Sequence, residues 1–308
     1  MLLTGVLPVL PTAFDGAGAI DRAGMRRVVD FVLRAGAHGA VFPGVASEFD
    51  HLTADERKAL IDIVGQGLGG SIPFIVGASG PTAKDVIAYC AMGREAGAVA
   101  AMIMAPASLG SDIAALIAFF TEIGAASGLD IILQNAPAPV GSGLSAEVIA
   151  EVVSAVPAIR YIKEETLPSG PKITQLIGKA PAHLKGVIGG GGARYAFDEL
   201  ERGAVALMPA AEITDLHVAL FESFTRGDRA QARQFYIRSL PLLLVQMIYR
   251  MELTKQALIR RGVLDHAVVR APLPKFDARG LAEIDVMLAE IEDLFTVPMP
   301  ARIAETVR

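Results

Sequence analysis

The sequence predicts a (β/α)8 TIM barrel with a C-terminal helical appendage. Three observations carry that reading. Eight apolar, β-like runs recur along the chain, helical patterns fall between them, and the last quarter is helical throughout. The runs are 5–14, 39–44, 73–79, 100–106, 130–136, 159–165, 184–190 and 204–210. Several are apolar on both faces, as expected of parallel strands buried between helices and a filled interior.

The first run leads into Pro11-Thr12-Ala13-Phe14-Asp15, which is not the glycine-rich nucleotide loop of an open doubly wound sheet. Asp21 caps a helix that reaches Leu33. Thr53 with Glu56 forms a capping box for a helix through Val64. Thr82 and Asp85 start a helix through Ala96, Ser111 and Asp112 one through Ala126, and Ser145 a shorter one. Segments beginning at Arg34, Arg94 and Glu201 repeat a helix end, a glycine and a strand start, which is one αβ unit used again and again. Helices are expected at 228–248, 252–261 and 280–295. The chain is therefore divided into a barrel, 1–224, and a helical region, 225–308.

Composition narrows the function. The chain has 308 residues, is 52% hydrophobic and carries a net charge of −5. No basic run offers a nucleic-acid footprint. The longest apolar run, Leu240 to Ile248, is too short to cross a bilayer, so no membrane partner is expected. The start of the chain has prolines at 8 and 11 and no basic segment, unlike a signal peptide. Cys90 stands alone, and no Cys/His cluster has metal-ligand spacing, so neither a disulfide nor a metal is expected. A reducing cytoplasm fits. His38, His51, His183, His217 and His266 are scattered and read as structural or surface residues.

Barrel enzymes work at the C-terminal ends of their strands, which sorts the eight lysines. Lys58, Lys84, Lys172, Lys179 and Lys255 fall on helices or their ends, Lys275 in the tail, and Lys185 at a strand start. Lys163 alone sits late in a strand, Ile159-Arg160-Tyr161-Ile162-Lys163-Glu164-Glu165. Strand alternation puts Tyr161, Lys163 and Glu165 on one face. A solvated strand-end lysine is the bland alternative. A buried ammonium is costly and tends to shed its proton, and a neutral amine can condense with a ketone. Glu165, roughly 6–7 Å away by the strand repeat, is a candidate acid/base. Its bland alternative is a rim carboxylate. Other strand ends supply Gly44, Val45, Ala46 and Ser47, a loop with amides and one hydroxyl to hold a carboxylate. They also supply Gln134 and Asn135, and the glycine run from Gly189 and Gly190, where a ligand can approach the backbone.

These motifs resemble the dihydrodipicolinate synthase / N-acetylneuraminate lyase superfamily over nearly the whole chain. Leu7-Pro8-Val9-Leu10-Pro11-Thr12-Ala13-Phe14 is similar to its first strand, and Tyr161-Ile162-Lys163-Glu164 to its Schiff-base strand. Gly44-Val45-Ala46-Ser47-Glu48 stands where the family carries Gly-Thr-Thr-Gly-Glu. The resemblance implies a lysine that binds pyruvate or another 2-keto acid, no cofactor, and a homo-oligomer, tetramer or dimer. Two departures bear on the reaction. Gln134-Asn135-Ala136-Pro137 replaces Tyr-Asn-x-Pro, so an amide stands where the family's tyrosine shuttles protons. Ala105-Pro106-Ala107-Ser108 lacks the tyrosine that synthases lend across an interface. The pattern is closer to a tyrosine-less branch that includes L-2-keto-3-deoxyarabonate dehydratase. The expectation is a Schiff-base lyase acting on a 2-keto-3-deoxy sugar acid by dehydration or aldol cleavage. Lys163 forms the imine, Glu165 or an ordered water moves protons with Gln134 as a further catalytic candidate, and Ser47 and the neighbouring backbone bind the carboxylate. A pyruvate-dependent synthase and a non-catalytic keto-acid-binding barrel stay open.

Overall fold

A computed structural model describes residues 2–300; Met1 and residues 301–308, the end of the expected helical region, lie outside the described residues. Strands and helices alternate through the first two thirds of the chain. The strands are β1 (Gly5–Val6), β2 (Ala40–Phe42), β3 (Phe74–Gly77), β4 (Ala100–Ile103), β5 (Asp130–Asn135), β6 (Ile159–Glu164), β7 (Gly186–Gly189) and β8 (Ala206–Leu207). The helices that follow them in turn are α1 (Arg22–Arg34), α2 (Ala54–Leu68), α3 (Ala83–Glu95), α4 (Ile113–Ser127), α5 (Ala146–Ala155), α6 (Ser169–Gly178), α7 (Ala196–Glu201) and α8 (Thr214–Thr225). All eight strands are parallel and in sequential order. Val9 bridges both Val41 and Ala210, which closes the ring.

The predicted starts hold where a side chain does the capping. Asp21, Thr53, Thr82, Asp112 and Ser145 each accept from an amide in the first helical turn. Gly36, Gly97 and Gly203 lie at φ of +75°, +89° and +94°, where the repeated unit turns from helix to strand. The first strand is much shorter than its apolar run. Beyond Val6 the chain holds its place by single bonds, such as Val9 N to Pro209 O, because prolines at 8 and 11 cannot donate to a ladder.

Two apolar layers result. Leu7, Val41, Ile75, Met102, Ile132, Tyr161 and Ile188 point into the ring, while Phe42, Val76, Ile103, Leu133, Ile162 and Val187 meet the helices. Tyr161 is fully buried inside the ring, and its hydroxyl accepts a bond from the Leu3 amide at 2.9 Å. The floor of the barrel is therefore filled.

After the barrel come α9 (Arg229–Tyr249), α10 (Met251–Arg260) and α11 (Ala278–Ala289). Leu242, Leu243, Leu253, Ala257, Ile284 and Leu288 of these helices join Phe197 and Leu200 of α7 and Leu216 and Leu220 of α8 in one apolar cluster. Two fully buried ion pairs tie α10 and the residue after it to the barrel: Lys255 to Glu48 at 2.6 Å and Arg261 to Asp215 at 2.7 Å. Arg250 joins α9 to α10 at φ +48°, ψ −119°, a conformation that favours glycine and costs an arginine about 1–3 kcal/mol. Among the described residues no helix is long and apolar enough to cross a membrane.

Candidate active site

The parallel register decides which groups meet. Gln134 pairs with Lys163, Lys163 with Ile188 and Ile188 with Ala206, so this row faces the interior. The next row is Asn135, Glu164 and Gly189, and it faces the helices. Lys163 is 4% exposed and opens on a cavity of about 320 Å³ at the C-terminal ends of the strands. Its Nζ lies 3.0 Å from Oε1 of Glu165, and Nε2 of Gln134 donates to the same oxygen at 2.6 Å. The strand repeat placed the two residues of this pair well apart. Their side chains nevertheless converge at the edge of the cavity. The buried amine thus has a carboxylate beside it. Gly190 packs against the pair: a Cβ there would stand 2.4 Å from Cγ of Glu165 and 3.0 Å from Cε of Lys163.

The strand-2 turn is held from behind. Ser47 Oγ donates to Leu10 O and accepts from the Gly44 amide, and Thr12 Oγ1 donates to Ser47 O at 2.6 Å. Ser47 is fully buried and outside the cavity lining, so its hydroxyl staples the turn instead of facing a ligand. Gly44 is likewise spent on this staple. Val45 and Ala46 do line the cavity, and their amides carry no hydrogen bond among the described residues.

Asn135 and Gly189 also lie off the cavity, because strand parity turns them outward. Asn135 donates to Glu164 Oε2 and Leu144 O and accepts from the Leu144 amide, fastening the loop after β5. A Cβ on Gly189 would meet Oε2 of Glu199 at 2.1 Å. Burial raises the pKa of Glu164 despite its bonds to Asn135 and Thr166, and burial pushes Glu199 up to about 7 against its Ser169 bond. The two acids sit behind β6 and β7, in the layer between strands and helices.

The roof of the cavity was not visible in the sequence. Gln246, Met247, Arg250 and Met251, at the α9–α10 junction, complete it together with Arg194 and Tyr195 after the glycine run. A second cavity of about 310 Å³ shares Val45, Val140, Arg250 and Met251 with the first and reaches His51. The other histidines are structural where they are bonded. His38 accepts from the Val6 amide and His183 meets Val153 O, while His217 is fully buried. Among the described residues no group of three His, Cys, Asp or Glu could hold a metal.

A parallel barrel whose sixth strand presents a lysine to a closed-floored cavity is built as an enzyme of the class I aldolase and lyase type. The sequence pattern of the Dihydrodipicolinate synthetase family matches residues 2–291, and the chain belongs to that family. It is 28% identical over 294 residues to L-2-keto-3-deoxyarabonate dehydratase from Azospirillum brasilense, covering 94% of this chain and 95% of that protein. Dihydrodipicolinate synthase from Rhodopseudomonas palustris superposes with a TM-score of 0.84 at 26% identity, covering 94% of this chain and 97% of that one. YagE from Escherichia coli K12, solved in complex with pyruvate, gives 0.83 at 24% identity over 94% and 99%.

Proposed function

We propose that the chain is a Schiff-base-forming lyase that dehydrates a 2-keto-3-deoxy sugar acid. The observation that carries this reading is the single oxygen of Glu165 shared by Lys163 and Gln134 at the edge of the cavity. Lys163 passes a proton to Glu165, and its free amine adds to the C2 ketone. The carbinolamine takes that proton back on its hydroxyl and loses water, which leaves an iminium. The iminium acidifies C3. Glu165, or a water it holds, accepts the C3 proton and returns it to the C4 hydroxyl, which departs as a second water. Hydrolysis of the imine frees Lys163. The amides of Val45 and Ala46 are suited to the substrate carboxylate. Gln134 cannot relay protons as a phenol does, and its part is to hold the carboxylate against the amine. A cavity of about 320 Å³ is at the small end of ligand sites, as a five- or six-carbon acid requires.

The relative from Azospirillum brasilense, named a dehydratase, supports elimination. The relation to dihydrodipicolinate synthase supports a second reading, carbon–carbon bond chemistry on pyruvate. A homo-oligomer in the cytoplasm belongs to the proposal, with Leu244 and Ile248 exposed on α9 as candidate contacts; light scattering reads the assembly. Borohydride reduction with pyruvate or a 2-keto-3-deoxy acid, followed by peptide mass spectrometry, tests the imine. The adduct is expected on the Lys163 peptide and absent in Lys163→Ala; an adduct on another lysine removes the assignment. Release of pyruvate distinguishes cleavage from dehydration, and binding without turnover across a keto-acid panel points to the non-catalytic barrel.

A further inference from the structure

The charges lining the main cavity do not balance. Lys163, Arg194 and Arg250 stand there with Glu165 as the one carboxylate, and Glu165 already serves Lys163 and Gln134. A substrate with one carboxylate, held by the Val45 and Ala46 amides, leaves both arginines unused.

Structural arginines in this protein look different. Arg261 is fully buried on Asp215 and also donates to the carbonyls of Glu212 and Val297. Arg270 is divided between Glu56 and the carbonyls of Gly18 and His51. The Arg250 guanidinium has no hydrogen bond or ion pair among the described residues, Asp50 in the adjoining cavity included. Its backbone nevertheless holds φ at +48°, a conformation better suited to glycine. Strain kept at a cavity wall points to a use for the side chain.

Arg194 is held for the same purpose. One terminal nitrogen donates to Gln246 Oε1 at 3.0 Å, and its carbonyl accepts from the Tyr236 hydroxyl at 2.6 Å. Gly192 leaves room for it: a Cβ there would come within 2.8 Å of the guanidinium. Burial holds Arg194 below the ordinary arginine value, and the charge of Arg250 works in the same direction against nearby Tyr195, Glu212 and Glu165. Two guanidiniums in the lining of one cavity, with a single carboxylate beside them, suit an anionic ligand.

We infer that Arg194 and Arg250 form a second anion site, which takes a carboxylate or phosphate at the far end of the keto-acid substrate. The inference rests on the Schiff-base reading above. It narrows the substrate to doubly anionic acids, either a 2-keto-3-deoxy diacid or a phosphorylated 2-keto-3-deoxy sugar acid.

The test compares three six-carbon 2-keto-3-deoxy acids that differ at C6: neutral hydroxymethyl, carboxylate and phosphate. The readout is the concentration that half-saturates borohydride trapping on Lys163, with kcat/KM beside it. A charged C6 is expected to lower that concentration by about 30-fold or more relative to the neutral acid. Whichever of carboxylate and phosphate is preferred identifies the group. Arg250→Met and Arg194→Met are each expected to reduce the charged-to-neutral preference by about tenfold or more, and Arg250→Lys to restore part of it. General damage to the fold would weaken all three acids and leave the ratio unchanged. An adduct on Lys163 with equal preference for the three acids, or a ratio unmoved by both methionine variants, overturns the second anion site alone. No adduct on Lys163 with any acid overturns the Schiff-base reading and this site with it.

Discussion

Glu165 shows how much chemistry one atom's position can carry. Its Oε1 meets both the Lys163 amine and the Gln134 amide. Replacing Lys163 by Ala removes the nucleophile, and kcat is expected to fall by at least about 10³-fold. Gln134→Ala leaves the amine in place and loosens only the carboxylate. Steady-state kinetics are expected to show kcat down about 10–100-fold with KM little changed, since a small misplacement of a proton carrier slows the chemical step. Gly190→Ala pushes a methyl into Cγ of Glu165, and a similar loss is expected with a folded far-UV spectrum. At this scale the sequence was readable where strand parity could be counted. Once β5 and β6 are located, parity puts the candidates Lys163, Gln134 and Glu165 on the interior face. Asn135 and Gly189 lie one residue away in the wrong parity, and their names in a motif gave no warning. Ser47 was misread for another reason: a hydroxyl in a turn can bond back to its own loop, and nothing local distinguishes that from facing a ligand.

Among the elements, the strand-2 turn and α10 depend on each other. Glu48, in a left-handed conformation at φ 59°, accepts from Lys255 and from the amides of Arg270 and Ala271. Burial holds the Lys255 pKa down to about 8, against the raising effect of Glu48. Removing one partner leaves a charge stranded, so Glu48→Gln is expected to cost about 3–5 kcal/mol in chemical denaturation. The Val45–Ala46 amides lie just before Glu48, so KM is expected to rise as well. Nearby, Arg270 holds Glu56, whose pKa falls to about 2 chiefly through that bond. The folded carboxylate stays charged where the unfolded one begins to protonate at 4.5, so this clasp stabilises fully above pH 4.5 and is lost as pH falls toward 2. Glu56→Gln is expected to flatten that part of the acid-stability curve. The barrel helices were legible because Asp21, Thr53, Thr82, Asp112 and Ser145 announce their own starts. The roof was not, because Arg250 and Gln246 reach the cavity from helices some eighty residues beyond β6 in the chain, and helical periodicity says nothing about which end of a barrel a helix covers.

For the whole molecule, two buried groups oppose each other in pH dependence. Burial lowers His217 from 6.5 to about 4 and raises Glu199 from 4.5 to about 7. Between pH 4 and 6.5 the unfolded chain binds a proton that folded His217 refuses, so that contribution to stability rises with pH. Between pH 4.5 and 7 folded Glu199 keeps a proton that the unfolded chain has released, so that contribution falls with pH. Each shift corresponds to about 3 kcal/mol, and over the shared window the two offset each other. His217→Phe is expected to leave stability falling from pH 4.5 to 6.5 relative to the parent, and Glu199→Gln to leave it rising, as read by urea titration at both pH values.

The buried phenol of Tyr161, bonded to the Leu3 amide, has one more consequence. With the lower end of the ring filled, the cavity faces the C-terminal ends of the strands. Reactant, released water and product all meet that side, where Met247 and Met251 line the cavity. Accumulated product is therefore expected to compete with fresh reactant on that one side of the barrel, which product-inhibition kinetics would read.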